Sequence, residues 1–85
     1  MDPYAIIKHP LSTEKSIRLM EAQNTLIFAV DMKANKDVIK QAAQEMFKVS
    51  VDSVRTTIQN GEKRAYIKFS EKNPAIDIAT QLGLM

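Results

Sequence analysis

The dipeptide Asn60-Gly61 lies between two segments in which apolar and polar residues alternate, and it constrains the fold more than any other feature of the sequence. A two-residue type I′ turn needs positive φ at both central residues, and Asn-Gly is the pair that favours it most. We therefore predict a β-hairpin whose returning strand runs from Glu62 to Phe69. Because the turn length fixes the register, the hairpin also predicts which side chains share a face.

The two faces of this hairpin differ in chemistry. The predicted pairs are Gln59 with Glu62, Thr57 with Arg64, Arg55 with Tyr66, and Val54 with Ile67. The face expected on the core carries Val54, Thr56, Ala65, Ile67 and Phe69, and the exposed face carries Arg55, Thr57, Arg64, Tyr66 and Lys68. Cations that replace phosphate counterions, and a ring that stacks on a base, are what a nucleic-acid surface requires. An ordinary solvated face explains this pattern equally well, because cations and tyrosine are common on exposed strands.

Two more strands and two helices are predicted before the hairpin. A short edge strand at Ala5 to Lys8 precedes a helix from about Thr13 to Ala22, which Ser12 or Thr13 can cap. The segment Asn24 to Asp31 is apolar on both faces, which is typical of a central strand.

The second helix has the clearest periodicity in the chain. Asn35 is expected to cap it, and its apolar residues recur at the i, i+3, i+4, i+7, i+8 spacing of one buried stripe. The stripe consists of Ile39, Ala42, Ala43, Met46 and Phe47. After this helix the alternation slips at Asp52 and Ser53, which indicates a bulge or bend in the first hairpin strand.

A third helix is predicted at the end of the chain. Asn73 is expected to cap it, with Pro74 at its first position and Gly83 at its end. Its predicted apolar stripe consists of Ile76, Ala79 and Leu82. The order β-α-β-α-β-β-α indicates an α+β fold in a single domain, residues 1–85.

The composition excludes several classes of function. Without cysteine the chain has no disulfide, no thiolate nucleophile and no cysteine zinc site. Its longest apolar run, Leu26 to Val30, is far too short for a membrane span, and Met1 to Lys15 does not resemble a signal peptide. We therefore expect a soluble cytoplasmic protein. The 12 basic and 10 acidic residues give a net charge of +2, which favours an anionic partner only weakly.

Catalysis is not expected. His9 is the only histidine, and no serine, aspartate or glutamate pattern indicates that it acts as a base or a metal ligand. Gly61 and Gly83 are assigned to a turn and a helix end, which leaves no glycine-rich phosphate loop. We expect no catalytic residues, no metal, no cofactor and no small-molecule substrate.

Two further groups of cations lie outside the hairpin. Lys33, Lys36 and Lys40 surround the start of the second helix, and Lys8, His9, Lys15 and Arg18 surround the start of the first. The group at the second helix can contact phosphate, helped by the free N–H groups of the helix start, but its spacing alone favours an ordinary solvated face.

Four stretches of the chain resemble one known family in the same order. The run Ile6 to Ser16 contains Lys-His-Pro-Leu-Ser-Thr-Glu-Lys, and it is followed by Asn24 to Asp31, by Ala34-Asn35-Lys36 through Phe47 and Val51, and by Gly61 to Phe69. Together they resemble large-subunit ribosomal protein number twenty-three, over essentially the whole chain.

The resemblance implies a small antiparallel four-stranded sheet packed with helices, assembled on large-subunit ribosomal RNA beside neighbouring ribosomal proteins and the peptide exit tunnel. It also implies docking of factors such as trigger factor or the signal recognition particle near Glu14, with Arg18 and Glu21 beside it. No membrane association is expected, because the apolar runs are too short to span a membrane. The positions carried over to RNA are Lys8, Lys15, Lys33, Lys36, Lys40, Arg55, Lys63, Arg64, Tyr66 and Lys68.

Two departures from the bacterial form of the family are visible. The hairpin closes at Asn60-Gly61 without the long basic loop that reaches into the tunnel, so the chain matches the archaeal or eukaryotic type better. Arg55 replaces the asparagine usual after the valine, so a phosphate contact can replace an asparagine-specific one.

Two alternatives remain open from the sequence. Ala65 to Phe69 also resembles the end of the aromatic strand of RNA-recognition domains, which bind single-stranded RNA, but Lys63 and Arg64 stand where a glycine and a first aromatic are expected. A ligand-sensing or dimerising α+β domain without RNA is the third possibility.

Overall fold

The computed structural model describes residues 2–83 of the chain and has an α+β fold. In chain order the elements are α1 (Pro3–Ile6), β1 (Ile7–Pro10), α2 (Glu14–Gln23), β2 (Thr25–Val30), α3 (Lys36–Phe47), β3 (Val51–Gln59), β4 (Glu62–Phe69) and α4 (Ala75–Gln81). The four strands form one antiparallel sheet in the order β1-β2-β4-β3. The predicted fold class is therefore confirmed, with β1 at the edge as expected.

The start of the chain differs from the sequence prediction. Residues 3–6 form a single helical turn, so the edge strand begins at Ile7 and not at Ala5. The cause is local, because the Asp2 carboxylate accepts the backbone N–H of Tyr4 at 3.0 Å and Pro3 occupies the first helical position.

Strand β2 is the centre of the sheet, and all six of its residues are buried. Its core-facing side chains pack with those of β4 and with residues from α2, α3 and α4. Phe47 of α3 joins the layers, since its ring centroid lies 5.5 Å from that of Phe28 and 6.1 Å from that of Phe69. The apolar core thus lies between one face of the sheet and the helices.

Helix α3 matches its sequence prediction. The Asn35 side chain accepts the backbone N–H of Val38 at 2.9 Å, and Ile39, Ala42 and Ala43 are fully buried. With 12 residues α3 is the longest helix in the described part of the chain, and none there is long and apolar enough to cross a membrane.

The hairpin turn and its register are confirmed. Asn60 and Gly61 have φ of 51° and 74°, as a type I′ turn requires, and all four predicted pairs are observed. The expected bulge is also present, because the register of β3 against β4 shifts between Val51 and Ser53.

The predicted apolar stripe of α4 is wrong in part. Ala79 is buried as expected, but Ile76 and Leu82 are 48% and 36% exposed, and Ala75 and Ile78 are buried instead. Both sets have helical spacing, so periodicity in a seven-residue helix did not distinguish them. The two small alanines allow α4 to approach the sheet closely.

The cap of α4 comes from a distant residue and not from Asn73. Asn24, in the left-handed region with φ 54°, accepts the backbone N–H of Ala75 at 2.6 Å through Oδ1. Its Nδ2 donates to the carbonyl oxygens of Phe69, Ser70 and Asn73 at 3.1–3.2 Å. One side chain at the start of β2 therefore fixes the end of β4 and the start of α4.

Candidate nucleic-acid interface

The sheet has a second face, opposite the core, which we call the outer face. Cross-strand register places its side chains in three rows: His9, Ala29, Arg64 and Thr57; Ile27, Tyr66 and Arg55; and Thr25, Lys68 and Ser53. Ile27, Ala29 and Tyr66 are buried, yet they belong to the central strands and not to the core cluster. The centre of the outer face therefore consists of buried apolar side chains, and cations surround them.

Tyr66 lies in the middle row, where two cations contact its ring. The Arg55 Cζ lies 5.1 Å from the ring centroid and the Lys15 Nζ lies 5.8 Å from it, both within the range of cation–π attraction. Tyr66 is only 8% exposed as a result. The ring that the sequence suggested as a stacking platform is present on this face but covered.

Lys15 reaches this face because of the way α2 begins. The Leu11 backbone N–H donates to the Ile27 carbonyl at 2.9 Å, which holds the chain beside β2 after β1 has ended. A capping box then starts the helix, since Thr13 Oγ1 accepts the Ser16 N–H at 3.2 Å and Ser16 Oγ accepts the Thr13 N–H at 2.8 Å. Lys15 lies inside this box, so its backbone position is fixed.

The cations of the outer face differ in their partners. Arg64 donates to the Glu62 carboxylate at 3.1 Å, and this ion pair partly neutralises its charge. Arg64 also donates to the Gln59 amide oxygen at 3.2 Å. Lys15, Arg55 and Lys68 form no ion pair with any acidic residue among residues 2–83. Three positive charges on this face are thus available to an anionic partner.

Several lysines predicted to bind RNA lie elsewhere. Lys36 and Lys40 belong to α3, which packs on the core side of the sheet, and Lys33 lies in the turn before it. Lys63 pairs with core-facing positions of the sheet, and its Nζ donates to the Ala34 carbonyl at 2.6 Å. The predicted RNA residues are therefore divided between two sides of the molecule.

Lys8 lies in β1, at the edge of the sheet. It is exposed at the irregular step of β1, beside His9, and lines a depression of about 290 Å³ near Gly61 and Lys63. The structure thus places Lys8 near the hairpin turn and outside the three rows of the outer face.

The residues expected to dock factors share one stripe of α2. Glu14, Arg18 and Glu21 follow the i, i+4, i+7 spacing, and all three are exposed. Glu14 and Arg18 form an ion pair of 2.8 Å, with side chains 82% and 76% exposed. Glu21 borders an open depression of about 890 Å³ together with Asn24.

His9 and Thr57 of the outer face were not chosen as site residues from the sequence. His9 enters the face through its pairing with Ala29, and the sequence held no signal for the register of β1. The Thr57 hydroxyl is buried beside Arg64 without a hydrogen-bond partner. The sequence predicted the position of Thr57 in the hairpin but not the burial of its hydroxyl. Within residues 2–83, no three acidic or histidine side chains are grouped as a metal site would require.

The fold and the outer face together define a small α+β protein whose sheet is covered by helices on one side and carries cations on the other, an arrangement suited to a polyanion. The sequence profile of the family described as Ribosomal protein L23 matches residues 5–80. The chain belongs to the ribosomal protein L23 family. It is thus a large-subunit ribosomal protein, a component of the ribonucleoprotein that carries out translation, in a family for which ribosomal RNA binding is typical.

Proposed function

We propose that this protein has a structural, non-enzymatic role in the large ribosomal subunit. In this proposal the outer face binds large-subunit ribosomal RNA near the peptide exit tunnel, and α2 offers a docking surface to factors that meet the emerging chain. The observation that carries the RNA contact is the group of three cations on the outer face, Lys15, Arg55 and Lys68, which have no acidic partner among residues 2–83.

Electrostatics supports the RNA contact. A cation without an ion pair is free to replace a phosphate counterion, and the release of counterions makes binding depend on salt. Arg64 is a weaker candidate because Glu62 already holds it at 3.1 Å. Lys36 and Lys40 contact RNA only if the RNA also reaches the helical side, where α3 lies.

The test of the RNA contact is the salt dependence of binding to a large-subunit ribosomal RNA transcript. We expect Arg55→Ala and Lys68→Ala each to weaken binding and to lower the slope of log K against log salt by roughly one unit. Lys72→Ala is the matched control, because Lys72 is exposed in the turn after β4 and outside the outer face. Equal slopes for all three variants and the wild type would contradict the choice of face.

Cross-linking in cells separates the three functional classes considered. Attached RNA that maps to one locus of large-subunit ribosomal RNA supports the proposal. Attached RNA spread over many transcripts favours a single-strand binder of the RNA-recognition type. The absence of RNA favours a ligand-sensing or dimerising domain.

The docking surface is supported by the exposed stripe of α2. Its charges alternate in sign, with Glu14 and Arg18 paired and Glu21 one turn further on, so it suits a charged surface of a partner such as the signal recognition particle. We expect Glu14→Ala to weaken factor binding to intact ribosomes and to leave subunit assembly unchanged. Glu45→Ala, an exposed glutamate of α3, is the control. If both variants bind the factor like the wild type, α2 is not the docking surface.

A further inference from the structure

Tyr66 is the one tyrosine or phenylalanine side chain on the outer face within residues 2–83. The chain has three phenylalanines and two tyrosines. The phenylalanines belong to the core or pack against it, and Tyr4 lies on α1, which contacts α3 on the helical side. Tyr66 is therefore the tyrosine or phenylalanine on which a base could stack at the centre of this face, whereas the His9 ring lies at the sheet edge.

Tyr66 is not arranged for stacking. Proteins that bind single-stranded RNA present open aromatic rings on which unpaired bases stack. Here Tyr66 is 8% exposed, with the Lys15 ammonium 5.8 Å and the Arg55 guanidinium 5.1 Å from its ring centroid. A base could reach the ring only by displacing a cation, which would break an attraction that the protein already has.

The same contacts attach two positive charges from distant parts of the chain to one ring. Lys15 comes from the first turn of α2 and Arg55 from the middle of β3, and neither has an acidic partner among residues 2–83. The two like charges repel each other, and the attraction of each for the ring opposes that repulsion. Phosphate groups of an RNA backbone that crosses this ring would neutralise the charges that the ring holds in place.

We infer that the outer face binds the phosphate backbone of paired RNA, and that Tyr66 is a positioning residue that holds the Lys15 and Arg55 charges 5.8 Å and 5.1 Å from its ring centroid. The inference rests on the proposed function and specifies the form of RNA that this face takes. Double-stranded RNA is recognised mainly through its shape, its phosphates and its 2′-hydroxyl groups, and these contacts need fixed cations and no open ring.

The test compares two RNA probes and two variants of Tyr66. The probes are a duplex of about 16 base pairs, the length that a double-strand-binding domain spans, and a single strand with the same number of phosphates. Tyr66→Phe keeps the ring, whereas Tyr66→Leu keeps an apolar side chain and removes the ring. Affinity is measured over a range of salt concentrations, and thermal melting checks that each variant is folded.

We expect the wild type to bind the duplex more tightly than the single strand, and Tyr66→Phe to bind it like the wild type. Tyr66→Leu is expected to weaken duplex binding by about fivefold, because the RNA must then order two cations that the ring held in place before binding. Its salt slope should change by less than one unit, because no charge is removed. Lys15→Met and Arg55→Met should each lower the slope by about one unit.

Different results would overturn the inference and the proposed function separately. If the wild type prefers the single strand, and ultraviolet light cross-links Tyr66 to its bases, the ring stacks and the inference is wrong while RNA binding stands. This measurement needs no variant, so it decides the question even if Tyr66→Leu does not fold. Equal affinity of a folded Tyr66→Leu and the wild type would also reject the positioning role. If the wild type binds neither probe nor ribosomal RNA, the proposed function itself fails.

Discussion

Replacement of Asn24 by aspartate should destabilise the protein strongly at neutral pH. Asn24→Asp keeps the shape of the side chain and its tolerance of the left-handed conformation, but it replaces two N–H donors with an oxygen. In the wild type these donors satisfy the carbonyl oxygens of Phe69, Ser70 and Asn73. A carboxylate would instead face three oxygens that repel it.

The magnitude follows from the hydrogen bonds that are lost. Each bond contributes about 1 kcal/mol net, and a part-buried carbonyl left without a donor adds to the loss, so we expect a decrease of about 2–4 kcal/mol in the free energy of unfolding. A domain of 85 residues has a total of about 4–13 kcal/mol. The expected fall in Tm is therefore about 10–25 °C, measured by circular dichroism on heating.

The loss of stability caused by Asn24→Asp is expected to depend on pH in a definite direction. Burial among carbonyl oxygens raises the pKa of the introduced carboxyl above that of an unfolded aspartate. Its protonated form regains one donor, so the deficit relative to wild type is complete above the raised pKa and shrinks as the pH falls through it. Melting at pH 7 and at pH 4 should show the larger deficit at pH 7.

Asn60→Asp is the matched control. Asn60 has φ of 51°, close to the 54° of Asn24, but it lies exposed in the hairpin turn, and no hydrogen bond of its side chain is seen in the described structure. Asn60→Asp should change the free energy of unfolding by no more than about 0.5 kcal/mol. If Asn24→Asp costs no more than this control at pH 7, the side-chain bonds of Asn24 do not hold α4 and the reasoning is refuted.

Other substitutions test the fold and the division of the cations. Ile39→Ala, at a fully buried position, should lower the free energy of unfolding by about 2–5 kcal/mol, measured with urea. A smaller decrease would mean that the side chains around Ile39 pack less tightly than the structure shows. Gly61→Ala should cost about 1–2 kcal/mol through its positive φ of 74° alone, since nothing lies within 4 Å of an added Cβ; a larger loss would indicate a clash. Lys63→Met should lower Tm by removing the bond to the Ala34 carbonyl and leave the salt slope of RNA binding unchanged, whereas a lower slope would return Lys63 to the RNA contact. Glu14→Gln should leave Tm unchanged because its ion pair is exposed, and a measurable fall would show that the pair stabilises α2.

The parts of the fold that were predicted correctly depend on local chemistry. The turn at Asn60-Gly61 requires positive φ, so the residue types alone set the hairpin and its register. The α3 cap at Asn35 and the stripe around Ile39 are likewise set by interactions within a few residues. Residue spacing was sufficient for these elements because no distant contact competes with them.

The errors and omissions involve contacts between distant residues. The stripe of α4 was assigned to Ile76 although the helix buries Ile78, because the side of a short helix that faces the core depends on where the helix is anchored. That anchor is Asn24, 51 positions before Ala75 in the chain, and no local pattern indicates it.

For the candidate site, the sequence by itself determined which residues of the hairpin share a face, since two-residue periodicity and turn length fix that grouping. It identified Arg55, Tyr66 and Lys68 as neighbours on one exposed surface. The same periodicity puts Lys63 on the core-facing side. Only the tertiary structure decided that Lys15 covers the Tyr66 ring and that Lys63 donates to the Ala34 carbonyl. The physical reason is that these contacts depend on how α2 and α3 pack against the sheet, and packing is set by the whole core rather than by spacing along the chain.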